Sequence, residues 1–349
     1  MDEFLRRPMA DRAALFAEVA TRRGLTAPII EKDFWVCWTL RHLFSLPDLP
    51  AGLIFKGGTS LSKVFSAIDR FSEDVDLSFD RQGLGFGGEN DPAAASGSKP
   101  RMRQMDALTG ACRAAIKDVM LPRLHAAFTA TLADVEPMAW SLSLDADDPD
   151  QQTLLFGYPS AAGGSPANLP PYVRPAVRLE LGARGDHWPA VEATIRPYVA
   201  EHFPDLIPNA AVGVKALAAE RTFWEKATIL HKWHHAASDK PFGERVSRHY
   251  YDVVRLYEQG HGARAIGQPE LLAAVSGHMQ VYFATKWARF DLAVPGTLRL
   301  VPPEARLPAL REDYAKMREM FFTEPPPLER LLAVLTEIEE SVNRTAAGS

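Results

Sequence analysis

The sequence predicts an α/β (α+β) fold, a mixed sheet with helices over residues 1–210, followed by a helical part over 211–349. Three observations predict it. Residues 53–80 read strand, glycine turn, helix, strand. Four further β-rich segments follow, at 137–144, 152–157, 174–181 and 191–198, with a short strand or helix entry at 210–217. From Ala218 onward the apolar spacing turns helical, over 218–235, 245–258, 267–285, 306–322 and 326–344, with prolines between several of the segments.

Ahead of this pattern stand two helical segments. Residues 9–22 place Ala13, Leu15, Phe16 and Val19 on one face and end near Gly24. Residues 27–46 carry Phe34, Trp35, Trp38, Leu40 and Leu43 on broad apolar faces. Their Glu31, Lys32 and Asp33 fit either a solvated first turn or a cluster turned towards an active site.

In the unit over 53–80, Leu53, Ile54 and Phe55 form a short apolar run ended by Gly57-Gly58, as a buried strand and tight turn require. Thr59 is placed to cap a helix with Leu61, Val64, Phe65 and Ile68 at helical spacing. Val75, Leu77 and Phe79 then alternate with Asp74, Asp76 and Ser78, which sets both aspartates on one strand face, about 7 Å apart. Two such carboxylates beside a glycine turn can hold a divalent cation and a phosphate chain, the requirement of nucleotidyl transfer. An edge pair facing water is the plainer reading. In Arg178-Leu179-Glu180-Leu181, Glu180 shares the polar face with Arg178, so it is either a third metal ligand or half of a local ion pair.

Residues 81–100 are rich in Gly, Ala, Ser and Pro and read as a mobile loop. They lack the preceding strand and the Lys-Ser/Thr of a phosphate-binding loop. A long helix is expected over 101–132. Asp145, Asp147, Asp148 and Asp150 read as a solvated hairpin loop, because calcium-loop spacing is absent.

The second constellation spans 220–235 and 245–258. Phe223, Ala227 and Leu230 form a core stripe that leaves Glu225, Lys226 and Lys232 nearer solvent. Lys226 suits a triphosphate or a local helix pair, and Arg248 and His249 are spaced to meet Asp252. His231, His234 and His235 lack the further ligand that zinc needs. Residues 215–255 hold eight cations against five acids, interleaved with Trp224, Trp233, Tyr250 and Tyr251. In a chain of net charge -5, that stretch is a plausible local surface for nucleotide or RNA. Two cysteines, Cys37 and Cys112, fit buried reduced thiols, and a cytoplasmic location follows from them together with the absence of a secretory signal or an apolar membrane span.

The motifs KGGTSLSKVF with RFSEDVDLSF, WEKATILH and SRHYYDVVRL together resemble the AbiEii/AbiGii nucleotidyltransferase toxins, which include MenT-like enzymes, over residues 30–260. The resemblance implies a DNA polymerase β-like nucleotidyltransferase fold whose helical part completes the active site. It implies Mg²⁺ (or Mn²⁺) and an NTP at Gly57, Gly58, Thr59, Ser60, Asp74 and Asp76, with Ser72 near the phosphates. Lys226 is implied to contact the triphosphate and Asp252 to be catalytic. It also implies a toxin of a toxin–antitoxin or phage-defence pair that modifies RNA, a tRNA 3′ end above all, and blocks translation. Its partner would be an antitoxin protein. Transfer to a protein, such as the antitoxin or Ser72 itself, and non-catalytic NTP binding are the alternatives.

Overall fold

A computed structural model describes residues 1–72, 74–135, 139–162 and 174–345. The chain divides into two compact units, Met1–Val64 with Ser72–Ala216, and Phe65–Phe71 with Leu217–Ser349. No single cut of the chain produces this division, since a seven-residue segment from the middle of the nucleotide-type motif joins the helical unit.

The first unit opens with α1 (Asp2–Leu5), α2 (Met9–Arg23) and α3 (Ala27–Phe44). Gly24 stops α2 in the left-handed conformation, φ 66°, where a side chain would be strained. Next come β1 (Leu53–Lys56), α4 (Gly57–Lys63), β2 (Asp74–Phe79), α5 (Ser98–Ala114), α6 (Leu121–Leu132), β3 (Ser141–Leu144), β4 (Thr153–Gly157), β5 (Ala176–Gly182), β6 (Ala190–Ile195), α7 (Tyr198–His202) and β7 (Val212–Leu217). The sheet runs β3-β4-β5-β2-β1-β7-β6. β2 is antiparallel to β1 and parallel to β5, and β1 is parallel to β7, so the mixed sheet expected from sequence is present. Alternation drives it: Val75, Leu77, Val177, Leu179 and Leu181 are buried while Asp74, Asp76, Arg178 and Glu180 are only half-buried. The core includes an aromatic cluster in which Trp38 of α3 stacks on Phe156 of β4 at 5.6 Å and Trp35 on Tyr158 at 5.3 Å. Cys37 and Cys112 are both buried free thiols.

Several local expectations are corrected. The strand expected at 137–144 is observed at Ser141–Leu144, with 137 and 138 outside the described residues. The long helix begins at Ser98 and passes through a π-helical stretch, Ala115–Met120, between α5 and α6. The segment 81–100 holds two short 3₁₀ turns, Gly88–Asn90 and Pro92–Ala94, with Arg81 paired to Asp91 at 3.0 Å. Glu31, Lys32 and Asp33 are neither solvated nor open: all three are buried. Glu31 accepts from the Ser160 hydroxyl and the Ala161 and Ala162 amides, and Asp33 accepts from the Tyr198 amide and pairs with Lys63 at 2.7 Å. Asp145 is buried too and pairs with Arg178 at 3.0 Å, because the β3–β4 hairpin turns it back onto the sheet.

The second unit is helical: α8 (Ala219–His234), α9 (Ser247–Glu258), α10 (His261–Ile266), α11 (Pro269–Tyr282), α12 (Leu307–Lys316) and α13 (Leu328–Thr345). α10 is an element the apolar spacing did not announce. Phe223, Ala227 and Leu230 are fully buried along α8, as the stripe predicts. α9 has no cap of its own, and the Asp313 carboxylate of α12 accepts the Arg245 and Ser247 amides at 2.7 Å each. The segment Phe65–Phe71 is stitched into this unit by backbone bonds from Phe71 N to Met320 O at 2.7 Å and from Phe322 N to Asp69 O at 3.1 Å.

Among the described residues, no helix is long and apolar enough to cross a membrane.

Candidate active site

In the first unit the site is a row across the sheet. Lys56 of β1 is in register with Asp76 of β2, Asp76 with Glu180 of β5, and Glu180 with Thr153 of β4. Directly paired residues on neighbouring strands project from the same face, so these four side chains form one polar line. One step along, Asp74 is in register with Arg178. Glu180 therefore stands beside Asp76 in the sheet, and it also makes the local ion pair with Arg178 that its strand position allowed.

Gly57 fixes where the Asp76 carboxylate lies. A Cβ built on Gly57 would fall 1.8 Å from Asp76 Oδ2, and Gly57 has φ +76°. Both the conformation and the close approach exclude a side chain there. The helix following it starts at Gly57, not after Thr59, so Thr59 is not a cap. Its hydroxyl instead donates to the Asp74 carbonyl at 2.5 Å and, weakly, to the Ser72 carbonyl at 3.4 Å, tying α4 to the start of β2. α4 also stops at Lys63, and Phe65 and Ile68 belong to the helical unit. Ser60, one turn on from Gly57, is 2% exposed and its hydroxyl has no hydrogen-bond partner among the described residues. A buried hydroxyl without a partner is costly unless something outside the protein takes it. Gly58 is buried in the same turn, and Ser72 is half-buried just before β2.

Arg178 sits within this carboxylate group. Its guanidinium is 3.0 Å from Glu180, 3.0 Å from Asp145 and 3.8 Å from Asp74. Burial alone would lower its pKa, but Glu180, Asp145 and Asp74 outweigh it and hold the arginine above its ordinary value. Among the described residues no three His, Cys, Asp or Glu side chains gather as a ready metal cluster. The hard oxygen donors of Asp74, Asp76 and Glu180 and the unpartnered hydroxyl of Ser60 nonetheless suit a divalent cation with a phosphate.

The second unit gathers a different group. Asp252 is fully buried, and Lys226, 7% exposed, is not nearer solvent as its helix position suggested. The local pairings weighed for both are replaced by one long-range triad. Lys226 Nζ is 2.9 Å from Asp252 Oδ2, while Arg70 donates through Nε to Oδ1 at 2.8 Å and through Nη2 to Oδ2 at 2.7 Å. Arg248 makes no ion pair among the described residues. His249 lies close enough to feel Lys226, Arg248 and Arg70, and its buried Nδ1 has no partner among them. Burial pushes the Lys226 ammonium below its ordinary pKa, with Asp252 opposing and Arg70 adding to the depression. Burial would raise Asp252, but Arg70 and Lys226 hold it well below the usual carboxylate range. Such a carboxylate is built to fix two cations, since both its oxygens are taken. Two residues escaped the sequence reading: Lys56, signalled only by its place one residue before the glycine turn, and Arg70, whose partner is 182 residues away.

The profile of the AbiEii family, described as nucleotidyl transferase AbiEii toxin of a type IV TA system, matches residues 38–337. The chain belongs to the AbiEii family of nucleotidyltransferase toxins. As an AbiEii protein it is a nucleotidyltransferase, and its place in a type IV toxin–antitoxin system implies an antitoxin partner and an NTP substrate. It is similar over 95% of its length to 97% of MenT4, a nucleotidyltransferase toxin from Mycobacterium tuberculosis H37Rv, with 16% identity and a TM-score of 0.46. No curated protein sequence matches it.

Proposed function

We propose that this AbiEii protein transfers a nucleotide from an NTP to RNA, with a tRNA 3′ end as the acceptor and a block of translation as the outcome. The observation that carries the reading is the Asp76 carboxylate lying against the bare Cα of Gly57, with Glu180 in register beside it. Asp74 and Asp76, and with them Glu180, would hold Mg²⁺ or Mn²⁺, which when bound neutralises phosphate charge and acidifies an attacking hydroxyl. Gly57 and Gly58 let backbone and phosphate approach, and the Ser60 hydroxyl is free to donate to a phosphate oxygen. Thr59 holds α4 against β2, so it positions the aspartates without touching substrate.

Lys226 is the residue assigned to the triphosphate, a compact cation on a rigid helix. Asp252 serves that assignment by holding the ammonium in place, with Arg70 supplying the second counter-charge that keeps the carboxylate ionised.

Incubating the protein with labelled NTP, Mg²⁺ and bulk tRNA tests the proposal. Wild type transfers label to RNA, and Asp74→Ala loses transfer by a hundredfold or more (an order-of-magnitude expectation for removing a metal ligand). Equal transfer by both proteins would overturn the Asp74 assignment. Label appearing on protein and never on RNA would move the acceptor to a polypeptide.

A further inference from the structure

The helical unit carries a cluster of cations that the chemistry above does not use. Lys232 and Lys240 both place their ammonium groups over the ring of Trp287, at 5.0 Å and 4.6 Å from its centroid. Trp287 packs against Trp233 at 5.9 Å, and Trp233 against Phe242 at 5.1 Å. Arg306, buried beneath, lies over Trp233 and Phe242 at 5.3 Å and 5.2 Å and donates to the Ala237 carbonyl. Lys286, exposed, precedes Trp287 in the same short turn and lines a groove of about 290 Å³ with Thr285 and Arg289.

None of Lys232, Lys240 and Lys286 has a carboxylate within ion-pair distance among the described residues. Two ammonium groups on one indole repel each other, and burial together with Lys240 pushes the Lys232 pKa down. The cation–π contacts keep both in place at a cost that a neighbouring anion would relieve. The aromatic base and the buried Arg306 make the arrangement rigid, so little side-chain freedom is lost when an anion arrives. A single phosphate does not match a lysine on α8, a second in the loop that follows it and a third in a separate short turn. A chain of phosphates does.

We infer that Lys232 and Lys240, mounted on Trp287, together with Lys286 next to it in the chain, form a docking surface for the phosphate backbone of the acceptor RNA. The inference rests on the RNA reading given above and adds where the RNA is held. The contacts are to backbone, so the surface selects RNA by charge and leaves base choice elsewhere.

The full-length protein tests this with fluorescein-labelled bulk tRNA in equilibrium binding at several salt concentrations, beside label transfer to a trinucleotide acceptor too short to reach a remote surface. The double variant Lys232→Gln, Lys240→Gln is expected to bind tRNA about tenfold more weakly, with a salt slope smaller by about two, one per lost phosphate contact. Its transfer to the trinucleotide stays at the wild-type level. Lys286→Gln, at an exposed position, gives the same direction with a slope smaller by about one, and keeps the test alive should the double variant misfold. Unchanged tRNA affinity and slope in folded variants would overturn the docking surface. Loss of polyglutamate binding with tRNA binding intact would also overturn it, in favour of an acidic protein partner. If wild type labels no RNA at all yet both variants weaken tRNA binding, the surface stands and the acceptor reading falls.

Discussion

Arg70 clamps Asp252 through two parallel hydrogen bonds, at 2.8 Å and 2.7 Å, in a site where Arg70 is 2% exposed and Asp252 is fully buried. The fork geometry of a guanidinium matches a carboxylate, and no other cation reproduces it. Lys226 alone would leave one oxygen of a buried carboxylate without a partner. Arg70→Ala is therefore expected to cost about 3–5 kcal/mol, the range for breaking one side of a buried ion pair. Arg70→Lys restores the charge but not the fork, and recovers only part of the loss. Urea unfolding of the three proteins checks this, and a cost below about 1 kcal/mol for Arg70→Ala would mean the pair is not a structural fixture.

Gly57 offers a sharper test, because two independent constraints meet at one atom. Ala at 57 must adopt φ +76° and must push the Asp76 carboxylate from a position 1.8 Å away. The backbone strain costs on the order of 1–2 kcal/mol. The larger effect falls on nucleotide transfer, which is expected to drop by at least about a hundredfold with the fold intact. Gly110 is the control: it is exposed within α5 and nothing lies within 4 Å of an added Cβ. Gly110→Ala should raise stability by about 0.5–1 kcal/mol and leave transfer unchanged.

Where the sequence could be read, the pattern was local. Alternation in 74–79 and 176–182 is a property of neighbouring residues, and it set Asp74 and Asp76 on one polar face and Glu180 with Arg178 on the polar face of another strand; the β2–β5 register brings the two faces together. The stripe of Phe223, Ala227 and Leu230 is likewise periodic and marked the buried side of α8. What escaped was pairing over distance. Lys226 sits at the border of that stripe, so periodicity alone turned it to solvent, while Asp252 from α9, itself held by Arg70 from far upstream, turns it inward. Glu31 and Asp33 look like a favourable acidic first turn, yet their partners, Ala161 and Lys63, come from segments that only the fold delivers. The division at residues 65–71 is of the same kind: its backbone pairs with Met320 and Phe322 leave no local trace.

His231 makes stability fall in mild acid. The ring is fully buried, its Nδ1 accepts from the Arg299 amide at 3.0 Å and its Nε2 donates to the Arg289 carbonyl at 2.9 Å. The neutral form uses both nitrogens, and a second proton would set Nδ1–H against an N–H. Burial, with His235 and His234 nearby and despite the Arg289 carbonyl and Asp291, brings its pKa down to about 4. The unfolded chain takes up a proton near pH 6.5 and the folded one does not, so stability is full above about 6.5 and declines as pH falls towards 4. The loss is on the order of 3 kcal/mol. Chemical unfolding at a series of pH values, repeated on His231→Gln, checks it: the decline should be smaller in the variant. Identical pH profiles would assign the acid sensitivity to another group.

Arg178 and the row it faces set the last expectation. Its guanidinium already neutralises part of the charge of Asp74, Glu180 and Asp145, so it competes with any cation those carboxylates hold. Arg178 is 40% exposed, and its effect is screened to about 1 kcal/mol, roughly fivefold in affinity. Arg178→Gln is thus expected to bind Mn²⁺ about fivefold more tightly, read by spin resonance of the free ion. Glu180→Gln moves the other way if the carboxylate beside Asp76 is a ligand, and Asp76→Asn moves further in that direction. If Glu180→Gln leaves Mn²⁺ affinity where it was while Asp76→Asn abolishes binding, Glu180 serves only to hold Arg178 and the cation rests on the two aspartates alone. The two outcomes separate a three-carboxylate site from a two-carboxylate one by a single titration.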